Sequence, residues 1–138
     1  MKAGLVLAGS KPVTQPSAQA YKDARKYEIS SYSRVKQNLY HLQSCLASGH
    51  PFTFGFNVFD NWYRKPLATV IPLPASDSKI IGGHAVLCVG YDNKKQLFKF
   101  RNSWGENIGE KGYFYMPYAY ILDTKICSDF WMIKAVKD

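Results

Sequence analysis

Two apolar runs held apart by one short polar turn constrain this chain more than any other feature. His84 to Tyr91 (HAVLCVGY) is apolar and β-prone, Asp92 to Gln96 (DNKKQ) is a polar turn, and Leu97 to Trp104 (LFKFRNSW) alternates apolar with polar residues. That pattern predicts two antiparallel strands. If Tyr91 faces Leu97 across the turn, the ladder puts His84 opposite Trp104 and diagonal to Asn102 on the same face. Diagonal neighbours lie about 7–8 Å apart at the backbone, close enough for an imidazole and a carboxamide to meet. A slip of one residue would carry Asn102 to the other face, so the register is itself an expectation.

Those two residue types have a chemical reason to meet. A histidine that shuttles a proton for a nucleophile needs its second ring nitrogen held by an acceptor, which fixes tautomer and ring orientation. An asparagine oxygen does this without adding charge. That suits a thiolate and imidazolium pair, whose resting state is already ionic and needs no third carboxylate to create it. Trp104 is placed to cover the contact from solvent and so strengthen it by lowering the local dielectric.

Four motifs then follow in order: Gly82-Gly83-His84-Ala85-Val86, Val89-Gly90-Tyr91, Asn102-Ser103-Trp104-Gly105, and Gly109-Glu110-Lys111-Gly112-Tyr113-Phe114. Together they resemble the second half of a papain-like cysteine peptidase. The segment before them fits the resemblance, with Tyr32 to Ala47 expected as a helix and Pro51 to Phe59 as the strand after it. The resemblance implies an α+β, papain-like fold. It implies the β-rich lobe alone, antiparallel and barrel-like with one main helix, and without the helical lobe that carries the nucleophile in this family. It implies His84 as general base, Asn102 as its orienting partner and Trp104 as support. The family's oxyanion-hole glutamine and its Cys-Gly-Ser-Cys-Trp motif have no counterpart here. In this family the histidine lies roughly 130–150 residues after the nucleophile, so counting back from His84 leaves the chain. The nucleophile is expected before Met1, on another chain, or nowhere.

None of the three cysteines present is expected to take that place. Cys88 shares a strand and a face with His84, but four residues along a strand is roughly 13 Å. It reads as a core residue. Cys45 lies beside the stripe Val35, Leu39, Leu42 and Leu46 near a helix C-terminus, whereas a reactive thiolate wants the N-terminal, positive end of the dipole. Cys127, in Lys125 to Asp129, has no motif around it and reads as a small buried residue or half of a disulfide. His41 and His50 have no Asp, Glu or Cys at a metal-ligand spacing and read as surface histidines, so no metal and no cofactor are expected.

Composition bounds the rest. With 138 residues, 46% apolar and 15% aromatic, there is enough for one globular core and too little for both lobes of such an enzyme. Residues 1–20 read as an N-terminal extension or the remnant of an upstream segment, and 21–138 as the papain-like domain. The start, Met1 to Gly9, has only a short apolar run, separated from the cleavage-like Ala18-Gln19-Ala20 by a polar stretch, and it reads as a continuing strand and loop rather than a signal peptide. The net charge is +8, but the 18 Lys and Arg are scattered with no run longer than two. That argues for a solvated basic surface and against nucleic acid. No apolar stretch reaches the roughly 20 residues of a membrane span. The resemblance allows a secreted or a lysosome- or vacuole-like compartment.

Further elements are expected around the site. Tyr63 to Ser78, interrupted by Pro66, Pro72 and Pro74, reads as a long irregular connection. Gly105 to Gly112 is a glycine-punctuated turn before a strand from Tyr113 to Met116, and Pro117-Tyr118 and Asp129 to Ile133 close the sheet. Gly83 and Ala85, flanking the base, are the candidate substrate-binding residues, because a small residue there leaves room for a peptide. Two functions follow: a cysteine-type peptidase acting on peptide or protein substrates, whose thiol comes from a missing or separate Cys-bearing lobe, or a non-catalytic papain-fold domain that binds peptides or a partner. The 138 residues acting alone are not expected to turn over.

Overall fold

The computed structural model describes residues 15–63 and 66–136. The signal-like start and most of the expected N-terminal extension therefore fall outside the described residues. The order of elements is α1 (Ala18–Ala24), a 3-10 turn (Arg25–Tyr27), β1 (Ile29–Arg34), α2 (Leu39–Ala47), β2 (Phe52–Phe59), β3 (Ile80–Asp92), β4 (Leu97–Arg101), β5 (Tyr113–Pro117), α3 (Tyr118–Ile121) and β6 (Cys127–Val136). The strands form one sheet in the order β1-β6-β2-β3-β4-β5, and every neighbouring pair is antiparallel.

Period-two alternation builds the core. Phe52, Phe54 and Phe56 on β2, Val86 and Cys88 on β3, Phe98 and Phe100 on β4, and Phe114 and Met116 on β5 all point to one face and are buried. Burying a side chain of this size contributes roughly 1.5–3 kcal/mol. The rings also lock to one another, with Phe54 stacked on Phe130 at 5.4 Å and 5°. Leu42 and Cys45 of α2, Tyr120 and Ile121 of α3, and Trp62 and Ile71 of the long connection cover that face. The opposite face of the same strands carries Thr53, Gly55, Asn57, Gly83, Ala85 and Arg101, none of them buried.

Four expectations are corrected. Tyr32 to Ala47 is not one helix: Ile29–Arg34 is a strand, and the helix starts only at Leu39. The serines of ISSYSR disfavour a helix interior, and β6 offers the segment a strand partner, pairing Tyr32 with Ile133 and Arg34 with Trp131. Asn38 starts the helix, its side chain accepting the His41 N–H at 2.9 Å. Tyr118 does not continue a strand but opens α3. The sheet is not closed into a barrel; β1 and β5 are its edges. Residues 69–71 lie along β5, with Ile71 N–H donating to Tyr115 C=O at 2.8 Å and Tyr115 N–H to Thr69 C=O at 2.9 Å.

The fourth correction concerns register. Leu87 pairs with Arg101 and Cys88 with Phe100, the ladder that Tyr91 opposite Leu97 would imply. Nearer the turn the ladder is one residue out, with Tyr91 facing Phe98 and Asp92 facing Leu97. An irregularity between Cys88 and Gly90 absorbs the extra residue. The hairpin end is thus shifted by one residue from the expected register, and at the other end the ladder stops at Leu87 and Arg101, short of the expected pairing of His84 with Trp104.

The glycine loop after β4 is tightly folded. Asn102 N–H donates to Gly112 C=O at 3.0 Å and Gly112 N–H to Ile108 C=O at 2.9 Å. Gly109 has φ +67°, and a Cβ there would lie 2.5 Å from the Tyr113 carbonyl and 2.8 Å from the Phe114 ring. Gly49, beyond α2, has φ +82° and open space around such a Cβ. Gly49→Ala is therefore expected to cost about 1–2 kcal/mol from left-handed strain alone, and Gly109→Ala several times more. Urea midpoints of the two variants check this, and equal midpoints refute it.

Candidate active site

His84 sits on the core-facing side of β3, and Asn102 follows the last residue of β4 on the same side. Their side chains meet, His84 Nε2 lying 2.8 Å from Asn102 Oδ1. The same Oδ1 accepts the Ser103 backbone N–H at 2.8 Å. That second donor decides the chemistry, because a flipped carboxamide would turn an NH2 toward an N–H. Oδ1 is thus the acceptor of both, Nε2 of the neutral imidazole carries the proton, and Nδ1 keeps its lone pair. No hydrogen-bond partner of Nδ1 occurs among the described residues.

An aromatic stack holds the ring in this orientation. Trp104 lies against His84 at 5.1 Å and 19°, and Trp62 lies behind Trp104 at 5.5 Å and 23°. Phe56, paired with His84 across the ladder, meets the imidazole edge-on at 5.7 Å. Trp62 is itself fixed, its Nε1–H donating to the Ala68 carbonyl at 2.9 Å. Trp104 is thus the middle of three stacked rings. Sequence reasoning missed Trp62 and Phe56. Phe56 was findable from the inward period of β2; Trp62 sits in an irregular connection where no period signals burial.

Asn102 is only 9% exposed. The chain itself covers it, while His84 and Trp104 are half-buried. Its Nδ2 is buried with no hydrogen-bond partner among the described residues, at a cost of about 1–3 kcal/mol. The carboxamide cannot recover that cost by flipping without setting donor against donor at Ser103 N–H.

Gly83 and Ala85 lie on the other face of β3 and line separate depressions. One, of about 250 Å³, includes Gly55, Asn57, Gly83, the His84 backbone strand and the loop before β6. The other, of about 310 Å³, includes Thr53, Ala85, Leu87 and Arg101. A Cβ at Gly82 or Gly83 would meet nothing within 4 Å.

All three cysteines are unpaired and buried. Cys88 is fully enclosed in the core. Cys45, near the C-terminal end of α2, donates to the His50 carbonyl, and Cys127 donates to the Tyr120 carbonyl. Burial pushes each thiol up from its ordinary range. For Cys127 burial and then the Asp123 carboxylate raise it to about 12. None is a ready thiolate, and none lies among the partners of the His84 ring. Exposed His41 bonds Asn38, half-buried His50 bonds Ser48, and among the described residues no group of three metal-ligating side chains occurs.

Chemically the arrangement offers a rigid, correctly tautomerised imidazole with one free basic nitrogen. The profile of the papain family cysteine proteases matches residues 2–130. An uncharacterized peptidase C1-like protein of Acanthamoeba polyphaga mimivirus is 35% identical over 134 residues, covering 90% of this chain and 43% of that protein. Mouse cathepsin F is 32% identical over 94 residues, covering 66% of this chain and 20% of its own. The crystal structure of xylellain, a cysteine protease from Xylella fastidiosa, superposes with a TM-score of 0.85 at 54% identity, covering 90% of this chain and 47% of that one. The fold is papain-like, and the chain spans under half the length of each of these three proteins.

The thiols generate a prediction. A raised folded pKa means that the folded chain keeps a proton that the unfolded chain loses above the ordinary thiol value of 9.0. The stabilisation is complete below that value and is lost as pH climbs toward 12. Unfolding free energy is expected to fall over this window, less steeply in Cys127→Ala. At pH near 8 iodoacetamide should leave Cys88 and Cys127 of the native chain unmodified and alkylate both after unfolding; rapid native alkylation refutes the assignment.

Proposed function

Because this chain belongs to the papain family of cysteine proteases, we propose that it supplies the base and orienting residues of a cysteine peptidase whose thiol comes from outside these 138 residues. The observation that carries the reading is the 2.8 Å contact of His84 Nε2 with Asn102 Oδ1, which leaves Nδ1 as the one basic nitrogen directed away from that contact. The burial of Cys45, Cys88 and Cys127 supports a thiol from elsewhere, as does a span under half of the relatives' length.

In the proposed reaction Nδ1 of His84 takes the proton of the incoming thiol, giving a thiolate and an imidazolium. The thiolate attacks the scissile carbonyl of a peptide, and the imidazolium then protonates the departing amine as the carbon–nitrogen bond breaks. A water, deprotonated by the same nitrogen, releases the acyl group and restores the thiol. Asn102 holds the ring through both directions of proton transfer, so it is a positioning residue. Trp104, with Trp62 behind it, keeps water from that hydrogen bond. Gly83 and Ala85, on the sheet face across from the imidazole, are proposed to border the bound peptide.

A peptide carrying a thiol-reactive electrophile tests this on the protein as its natural source makes it, together with whatever chain co-purifies. The expected label falls on a cysteine outside residues 1–138. Label on Cys45, Cys88 or Cys127 overturns the assignment, and no label at all makes the domain a papain-fold binding module. In the same enzyme before labelling, His84→Ala is expected to lower kcat by roughly 10²–10⁴-fold. Asn102→Ala should lose less, and Trp104→Phe less again. Unchanged turnover in His84→Ala would remove the histidine from the mechanism.

A further inference from the structure

Resting on the peptidase reading, we infer that Lys125 makes the depression beside Gly83 a site for an acidic side chain of the substrate. The depression exists because two facing positions lack side chains. A Cβ at Gly83 would meet nothing within 4 Å, and one at Gly55 would meet only the Ser128 carbonyl at 3.7 Å and the His84 carbonyl at 3.9 Å. Larger residues on either strand would fill the floor. With both glycines the space is about 250 Å³, enough for an extended carboxylate side chain, and it lies against the backbone of the proposed base.

The far wall is the loop 124–128, and it is firmly anchored. Asn57 N–H donates to the Ile126 carbonyl at 2.8 Å, and the N–H groups of Ile126 and Cys127 both donate to the Asp123 carbonyl. The Asp123 side chain accepts the Lys125 backbone N–H at 2.8 Å. These bonds hold the Lys125 backbone at the rim while its ammonium has no ion-pair partner among the described residues. Thr124 and Ser128 line the same wall, and a hydroxyl can donate. Lys125 is the one permanently charged side chain of the lining, and Asn57 the chief side-chain acceptor. Three donors, one of them cationic, match a carboxylate and repel an ammonium or guanidinium.

Isotope-labelled chain titrated with three capped tripeptides, identical except for a central Glu, Gln or Lys, tests the inference through the backbone amide shifts of Gly55, Gly83 and Ser128. The glutamate peptide is expected to bind about threefold to fivefold more tightly than the other two, the range of one partly exposed ion pair. Lys125→Glu should reverse the order in favour of the lysine peptide, and Lys125→Gln should level it, with amides outside the depression unchanged as the check on folding. Equal binding of the three peptides, or an order that Lys125→Glu does not alter, overturns the role of Lys125 and leaves the peptidase reading standing. Absence of shifts at these amides overturns the site as a whole, whereas the peptidase reading falls only on the thiol-labelling result.

Discussion

Everything at the site depends on the β3–β4 ladder near its open end, where Leu87 faces Arg101 and Cys88 faces Phe100. Side chains alternate along a strand, so one residue of slip there would turn Asn102 to the outer face and leave the His84 ring without its acceptor. The ladder does carry such a slip, between Cys88 and Gly90, but it lies on the turn side. The glycine loop secures the other side of the contact, because Asn102 N–H is tied to Gly112 C=O in a turn too close for side chains.

The two faces of the same strands divide the work. Inward positions are phenylalanines whose rings interlock, and that rigid bed continues without a break into the stack of Trp62, Trp104 and His84. The imidazole is thus oriented by core packing as well as by its hydrogen bond. Two outward positions of β2 and β3, Gly55 and Gly83, have no Cβ atom, and that opens space on the face where a peptide is proposed to lie. Stability and access come from alternate residues of one segment.

Legibility in the sequence followed periodicity. β2 from Phe52 to Phe59, the hairpin partners and β5 repeat every second residue over a long enough run to be read directly. His84 and Asn102 were readable because β3 carries the one and the other directly follows β4. The stretch from Tyr32 to Ala47 was misread because Val35, Leu39, Leu42 and Leu46 have helical spacing, while the strand over Ile29–Arg34 draws its stability from β6, about a hundred residues away. Trp62 was invisible for a related reason, since its burial comes from Phe56, Phe114 and Trp104 and not from any local pattern.

By itself the sequence determined the class of fold, the motifs that mark the papain family and two of the residues that gather at the histidine, since strand alternation and turn chemistry are local properties. Only the tertiary structure decided the rest. It showed that Oδ1 of Asn102 serves two donors and so sets the histidine tautomer, that a slip near the turn corrects the register, and that the sheet stays open. It also showed that all three thiols are enclosed. Each of these depends on contacts between residues far apart in the chain, and such contacts are settled by packing, which no single stretch of sequence carries.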